Sequence, residues 1–408
     1  MKPESKIYKV LMGDNEITIE TGKLALQAGG AVTVTIGETM IFAAATMDKQ
    51  PRESIDFFPL TIDYEERMYA GGRIPGSFFR REGRPSTDAV LLARLTDRPL
   101  RPLFPDYMRN PVQVIMVSFS SDGINPIDIL GINAASAAIT ISDIPWNGPI
   151  GAVRIGRIDG KFIINPTFDQ IDESDLDLRV AGTKEAISMV ECGANEIPDD
   201  VMVEALAFAH ESIQPIIDLQ LRMKNEIGKE KAEIQLFPTD ESLVNKVGER
   251  VKGDIERELA APHTKTELNN AIHDLKAKMI EEFATDDETL VPAVNEAFEI
   301  SYKDVVRNRI LESGIRPDGR KPDEIREIWC EVGYSPRAHG SAIFTRGETQ
   351  ALTLATLGTP REAQEIDTLA PTENKRYMHH YNFPPYSTGE VKPLRGQSRR
   401  EIGHGALA

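Results

Sequence analysis

Thiols are scarce in this chain: Cys192 and Cys330 are the only cysteines among 408 residues. Two distant cysteines build neither a disulfide framework nor a four-ligand zinc site, so both are expected as buried free thiols. Long apolar runs are missing too. No stretch reaches the roughly 18 apolar residues that a membrane-spanning helix needs, so no membrane partner is expected. The stretch from Met1 to Lys9 is polar and charged and lacks the apolar centre of a secretory leader, so a cytoplasmic protein is expected. The patterns GxxxxGK[ST], HExxH, GxSxG and CxxC are absent, and no acidic cluster has the look of a two-metal site. Positive charge is also in deficit, with 47 Lys and Arg against 64 Asp and Glu and a net charge of −17. Taken as a whole, that balance disfavours a polyanion ligand, because phosphate contacts need cations.

Charge acts locally, however. Residues 73–109 hold eight arginines (73, 80, 81, 84, 94, 98, 101 and 109), no lysine and only four acids, a net of about +4. Residues 392–400 carry Lys392, Arg395, Arg399 and Arg400 and no acid. An acidic body with two arginine-rich patches can hold a polyanion at those patches and repel it elsewhere.

An internal repeat organises the rest. Residues 29–47 (GGAVTVTIGETMIFAAATM) and 339–357 (HGSAIFTRGETQALTLATL) lie 310 positions apart and share Gly30/Gly340, Thr35/Thr345, the triplet Gly37-Glu38-Thr39/Gly347-Glu348-Thr349, and Ala45-Thr46/Ala355-Thr356. Each copy reads as a β-hairpin around a glycine turn, and two copies with one turn indicate a duplicated domain. Between them, 112–119 (VQVIMVSF) reads as a buried strand and 128–141 (DILGINAASAAITI) as a tightly packed helix of small residues. Asp159-Gly160 joins two strands in 150–165 as a hairpin turn. Met202, Leu206, Ala209, Ile213 and Ile216 mark one helical face starting near Pro198-Asp199-Asp200. Residues 239–311 are charged and helical, with Val294, Phe298, Tyr302 and Val305 on one face, and 314–322 (GIRPDGRKP) reads as a linker. A second mixed domain then opens and stops some 50 residues after its hairpin, against more than 170 in the first copy.

Phe78-Phe79-Arg80-Arg81 sits among glycines and prolines in a loop. Aromatic rings beside guanidinium groups suit a single strand of nucleic acid, bases on the rings and phosphates on the arginines. The alternative is that one Phe anchors the loop in the core while the arginines pair with Glu65 or Glu82. Arg94, Arg98 and Arg101 share a helical face if the segment is helical, although Pro99 and Pro102 are expected to break such a helix; a solvated, salt-bridged face is the competing reading. Arg399, Arg400 and His404 form a second cluster able to bind phosphate or move a proton. His379-His380 reads as structural, because neighbours on a strand point to opposite faces. His339 suggests no chemistry.

FFRREGRPS (78–86), LLARLTDRPLRPLFP (91–105), SDGINPIDILGINAASAA (121–138) and ANEIPDDVMVEALAFAHESI (194–213) resemble the first ribonuclease PH-like core of the polynucleotide phosphorylases. RPDGR (316–320), GSAIFTRGETQALTLATLG (340–358), HHYNFPPYSTGE (379–390) and RREIGHG (399–405) resemble the second. The resemblance runs along essentially the whole chain in the right order. It implies an α+β fold of duplicated ribonuclease PH-like (ribosomal protein S5 domain 2-like) cores joined by an all-helical domain, with the second core truncated. The expected domains are 1–145 and 146–235 for the two parts of the first core, 239–312 for the helices and 323–408 for the incomplete second core. It implies 3′-to-5′ phosphorolysis of single-stranded RNA in mRNA degradation, reversible, with inorganic phosphate as co-substrate and nucleoside 5′-diphosphates as products. A homotrimeric ring, a magnesium ion, following KH and S1 domains and RNA degradosome partners go with the family. By the same resemblance Phe78 and Phe79 line the channel aperture. Arg80 and Arg81 contact RNA in the first core, and Arg399 and Arg400 do so beside the active site, with His404 as neighbour; Arg94, Arg98 and Arg101 are expected to join the RNA contacts from their place in the arginine-rich segment. The phosphate and metal ligands are expected beyond Ala408, so no metal ligand is assigned here and these residues alone are expected to be inactive. The alternative is a non-catalytic RNA-binding subunit of an exosome-like ring.

Overall fold

The computed structural model describes residues 3–52, 55, 57–261, 263–285, 287–371 and 374–408. They fall into two compact units, 1–236 with 362–408, and 237–361.

The first unit opens with strands β1 (Lys6–Met12), β2 (Asn15–Thr21), β3 (Gly30–Ile36), β4 (Thr39–Met47) and β5 (Leu60–Glu65). Helix α1 (Thr87–Leu100) then leads to β6 (Val112–Ser120). The sheet order is β1-β2-β3-β4-β6-β5, antiparallel except for the β5–β6 pair, so α1 is the crossover of a parallel unit. Helix α2 (Asp128–Ile141) follows and packs on β3 and β4. Its small residues let it approach closely: a Cβ on Gly30 would lie 2.1 Å from the Ala138 carbonyl oxygen. β7 (Gly151–Ile158), β8 (Lys161–Ile164), β9 (Leu176–Gly182) and β10 (Ile187–Ala194) form a second sheet in the order β10-β9-β7-β8, with the short helix α3 (Phe168–Glu173) between β8 and β9. α2 lies between the two sheets and is buried from Ile129 to Ile141. Two polar residues in this apolar helix are tied to the second sheet's approach: Asn133 exchanges two hydrogen bonds with Ala152 of β7, and Ser136 donates to Ile150.

At its N-terminal end Asp128 meets Arg154 (3.3 Å) and Arg179 (2.7 Å), and Asp177 meets both arginines. Burial pushes the Asp128 carboxyl up, but the two guanidinium groups outweigh it and hold the group below the usual range. α4 (Asp199–Ser212) and α5 (Gln214–Ile227) complete this part. The face expected as one helix is thus two, joined at Ile213, with Pro215 in the first turn of α5.

The second unit holds three helices, α6 (Glu241–Ala260), α7 (Lys265–Ala284) and α8 (Val291–Ser313), around a separate core that includes Val251, Met279 and Phe298. It also holds β11 (Ile328–Val332), β12 (Gly340–Arg346) and β13 (Thr349–Ala355), an antiparallel sheet. The sequence repeat is a structural one: Gly30 pairs with Ala45 and Gly340 with Ala355. Gly37 and Gly347 open the two turns at φ +57° and +60°, the left-handed conformation that glycine adopts without penalty. In the first copy β4 also pairs with β6; among the described residues β13 pairs with β12 alone. Ile328, Trp329, Phe344, Leu352 and Leu354 of this sheet are exposed.

Residues 362–408 belong with the first unit and end in α9 (Arg399–Leu407), which packs on α1. α1 and α9 begin alike, each capped by a serine, Ser86 and Ser398.

Two expectations need correction. α1 is not broken by Pro99, which sits in its last turn and costs it one backbone hydrogen bond before a short 3-10 turn (Arg101–Leu103) takes over. Cys192 and Cys330 are both exposed, because each lies on a thinly covered strand, β10 or β11.

Candidate nucleic-acid interface

The loop before α1 is held from both sides. Glu82 folds back to accept from the Met68 backbone N–H (3.0 Å) and pairs with Arg67. Its carboxyl is held below the usual range, chiefly by that backbone bond. From the far segment, Asp367 accepts from the Gly76 N–H (2.8 Å) and Arg73 donates to the Thr368 carbonyl. Ser77 bridges the tip, accepting the Arg80 N–H at its carbonyl and donating from Oγ to the Arg81 carbonyl, with Arg80 at φ +50°.

These tethers leave the apex in solvent. Phe78 is 94% and Phe79 85% exposed, their rings edge-on at 5.5 Å. Neither anchors the loop. Glu65 and Glu82 are engaged by Arg67 instead of by the apex arginines, and Arg80 and Arg81 have no acidic partner among the described residues.

Ser86 caps α1, accepting from Ala89 N–H (3.1 Å) and donating to Glu66 (2.7 Å), which also accepts from the Leu369 N–H (3.0 Å). Burial raises the Glu66 carboxyl above its ordinary value. Ser398 caps α9 in a reciprocal box with Glu401, which also accepts from Phe383 N–H. The Arg400 guanidinium lies 5.6 Å from the Phe383 ring centre, and His404 meets Tyr381 edge-on at 5.2 Å. Arg399 donates to the Ile62 carbonyl (2.7 Å) and pairs with Asp63 of β5.

The two arginine patches, some 300 residues apart in sequence, meet here. A Cβ on Gly396 would come 3.1 Å from the Arg84 guanidinium, and one on Gly403 2.3 Å from Arg94 Nε. The glycines of one segment thus make room for the arginines of the other. Arg98 and Arg101 are arranged differently from the expectation of RNA contact. Arg98 bonds Glu191 and the Val190 carbonyl, while Arg101 bonds Asp97 and the carbonyls of Phe58 and Leu60. Both terminal nitrogens of Arg98 and all three nitrogens of Arg101 donate to protein acceptors. His379 and His380 lie outside any strand, and His339 accepts from the Leu357 N–H (2.8 Å). The supporting residues Asp63, Glu66, Phe383 and Tyr381 escaped the sequence reading, since no local pattern marks them.

Among the described residues no group of three or more His, Cys, Asp or Glu could hold a metal ion. The acids nearest the arginines, Asp63, Glu66 and Glu401, already serve guanidinium, hydroxyl or backbone N–H groups. The described residues therefore do not fit a magnesium site.

Residues 15–145 and 324–408 match the 3′ exoribonuclease family, domain 1; 148–212 match its domain 2; and 242–321 match the polyribonucleotide nucleotidyltransferase RNA binding domain. The chain belongs to the 3′ exoribonuclease family. Within it, the chain is 52% identical over 402 residues to the polyribonucleotide nucleotidyltransferase of Thermomicrobium roseum, covering 96% of this chain and 51% of that protein. It is 50% identical to that of Roseiflexus castenholzii over 417 residues (99% and 55%) and 47% identical to that of Bacillus subtilis over 409 (100% and 58%). The polynucleotide phosphorylase resemblance is borne out, and the chain spans about half the length of the curated relatives it matches.

Proposed function

We propose that this chain forms the RNA-holding face of a phosphorolytic 3′-to-5′ exoribonuclease. The observation that carries the reading is the meeting of two arginine clusters beside an exposed pair of phenylalanines. A base stacks on Phe78 or Phe79, Arg80 and Arg81 hold adjacent phosphates, and Arg94, Arg400 and His404 face the following part of the strand. Arg98 and Arg101 act as supports of α1.

In phosphorolysis an oxygen of inorganic phosphate attacks the last phosphodiester. The bond from phosphorus to the 3′-oxygen breaks, the shortened strand takes a proton at that oxygen, and a nucleoside 5′-diphosphate leaves. Both reactants are anions, so what these residues supply is placement and positive charge. We place the phosphate and metal ligands outside these 408 residues, and the same reading includes a homotrimer acting in the cytoplasm with RNA degradosome partners. The domain division 1–145, 146–235, 239–312 and 323–408 goes with it.

Fluorescence anisotropy with a labelled oligoadenylate tests the reading. Replacing Arg80 and Arg81 together by Gln should weaken binding and flatten its salt dependence, with the slope of log K against log salt falling by about 0.7 per lost phosphate contact. An unchanged slope removes the proposed contact.

A further inference from the structure

The two arginines at the start of α9 are not equivalent. Arg399 Nη1 donates to the carbonyl of Ile62 at 2.7 Å, its other terminal nitrogen pairs with the Asp63 carboxylate, and both acceptors belong to β5, the last strand of the first sheet. Asp63 is itself steadied by Gln113 of β6 at 3.3 Å. Among the described residues Arg400 faces only the Phe383 ring, and a ring face leaves the in-plane N–H groups of a guanidinium unspent.

We infer that Asp63 withholds Arg399 from RNA: the pair is a strut that seats α9 on β5, and Arg400 alone of the two contacts phosphate. This rests on the RNA reading above and divides it. A carboxylate against Arg399 cancels its charge towards a passing polyanion, and a phosphate would have to displace a carboxylate and a carbonyl together. Among the described residues Arg400 meets no such competitor. Asp63 is therefore a positioning residue, acting through Arg399 on where the Arg400 guanidinium points.

The test is the salt dependence of oligoadenylate binding by the full 408-residue chain and its variants. Each phosphate contact with a single strand adds about 0.7 to the slope, or about a 2.6-fold change in affinity between about 50 and about 200 mM salt. Arg400→Gln should lose that increment and Arg399→Gln should keep it. Asp63→Asn keeps the side chain's shape but removes the competing carboxylate, which frees Arg399 for a phosphate and should raise the slope by about the same increment. The double variant Asp63→Asn/Arg399→Gln should return to the parental slope. Circular dichroism melts identify any variant that loses α9, and the isosteric Asp63→Asn carries the test if Arg399→Gln does. A slope lost equally with Arg399→Gln and Arg400→Gln, or unmoved by Asp63→Asn, overturns the inference and leaves the RNA reading standing. A slope unmoved by Arg400→Gln removes the α9 contact and the inference with it.

Discussion

Gly30 and Gly340 are the same residue in two copies of one hairpin, and they should respond in opposite ways to one methyl group. A Cβ on Gly30 would sit 2.1 Å from the Ala138 carbonyl oxygen, where ordinary contact begins near 3.4 Å. The obstacle is helix backbone, so β3 and α2 must separate by about 1.3 Å, the shortfall between those distances. Overpacking of this kind costs about 1–3 kcal/mol, and an immovable backbone atom puts Gly30→Ala at the upper end. At Gly340 the nearest atom is the Ala355 side chain at 3.4 Å. There Gly340→Ala should be neutral, or stabilise by up to about 0.5–1 kcal/mol by removing unfolded-state freedom. The two tryptophans make the assay clean. Trp146 is buried in the first unit, its indole N–H donating to the Leu100 carbonyl, and Trp329 lies in the second. Urea unfolding followed by Trp146 emission in a Trp329→Phe background reads the first unit, and the reverse background reads the second. Equal midpoint shifts for Gly30→Ala and Gly340→Ala would refute the close-approach explanation.

Phe78→Ala and Phe79→Ala should each weaken oligoadenylate binding by an amount within about 1–3 kcal/mol while leaving the melting curve unchanged, since both rings are already in solvent. Loss of thermal stability with intact affinity would instead make them packing residues. Folding raises the Glu66 carboxyl above its ordinary 4.5 through burial, so the folded state holds that proton more tightly. Its contribution therefore favours folding at low pH and is lost as pH rises from 4.5 through the raised value. Glu66→Gln should remove that fall from the pH dependence of the Trp146-monitored midpoint, and an unchanged pH profile would contradict it. The 408 residues alone should bind oligoadenylate without releasing ADP when phosphate and magnesium are supplied; phosphate-dependent ADP release would place a complete active site within them.

What was legible in the sequence was local. The small apolar run of α2, the Asp159-Gly160 turn, the period of α8 and the repeated GET turn all follow from short-range pattern, and each appears where the pattern puts it. Phe78 to Arg81 also stood out, because stacking rings and guanidinium groups lay side by side in one loop. The continuation of α1 through Pro99 was missed because a proline in the last turn forfeits only one bond, and the packing of Leu95 and Leu100 offsets it. Exposed thiols were missed because burial depends on what covers a strand, which its own composition does not record. The links from Arg399 to Ile62 and Asp63 span 337 and 336 positions. No periodicity reaches that far, so the second arginine patch could be seen but not its dependence on the first core.

The crossing of α1 and α9 has a consequence for how such a chain can change. α1 and α9 each start at a serine cap in segments that match one family domain, and they meet where a Cβ on Gly403 would touch Arg94, much as two identical subunits do at a two-fold axis. Joining both partners on one polypeptide makes the contact intramolecular, and it forms at any dilution because the tether fixes the local concentration. It also frees each side from the other's mutations. In a homodimer every substitution appears twice; here the loop that carries Phe78 and Phe79 before α1 can change without the segment before α9 changing with it. One half could acquire a stacking platform while the other kept a plain loop, and asymmetry of that kind gives a symmetric scaffold a direction along which a strand can be threaded.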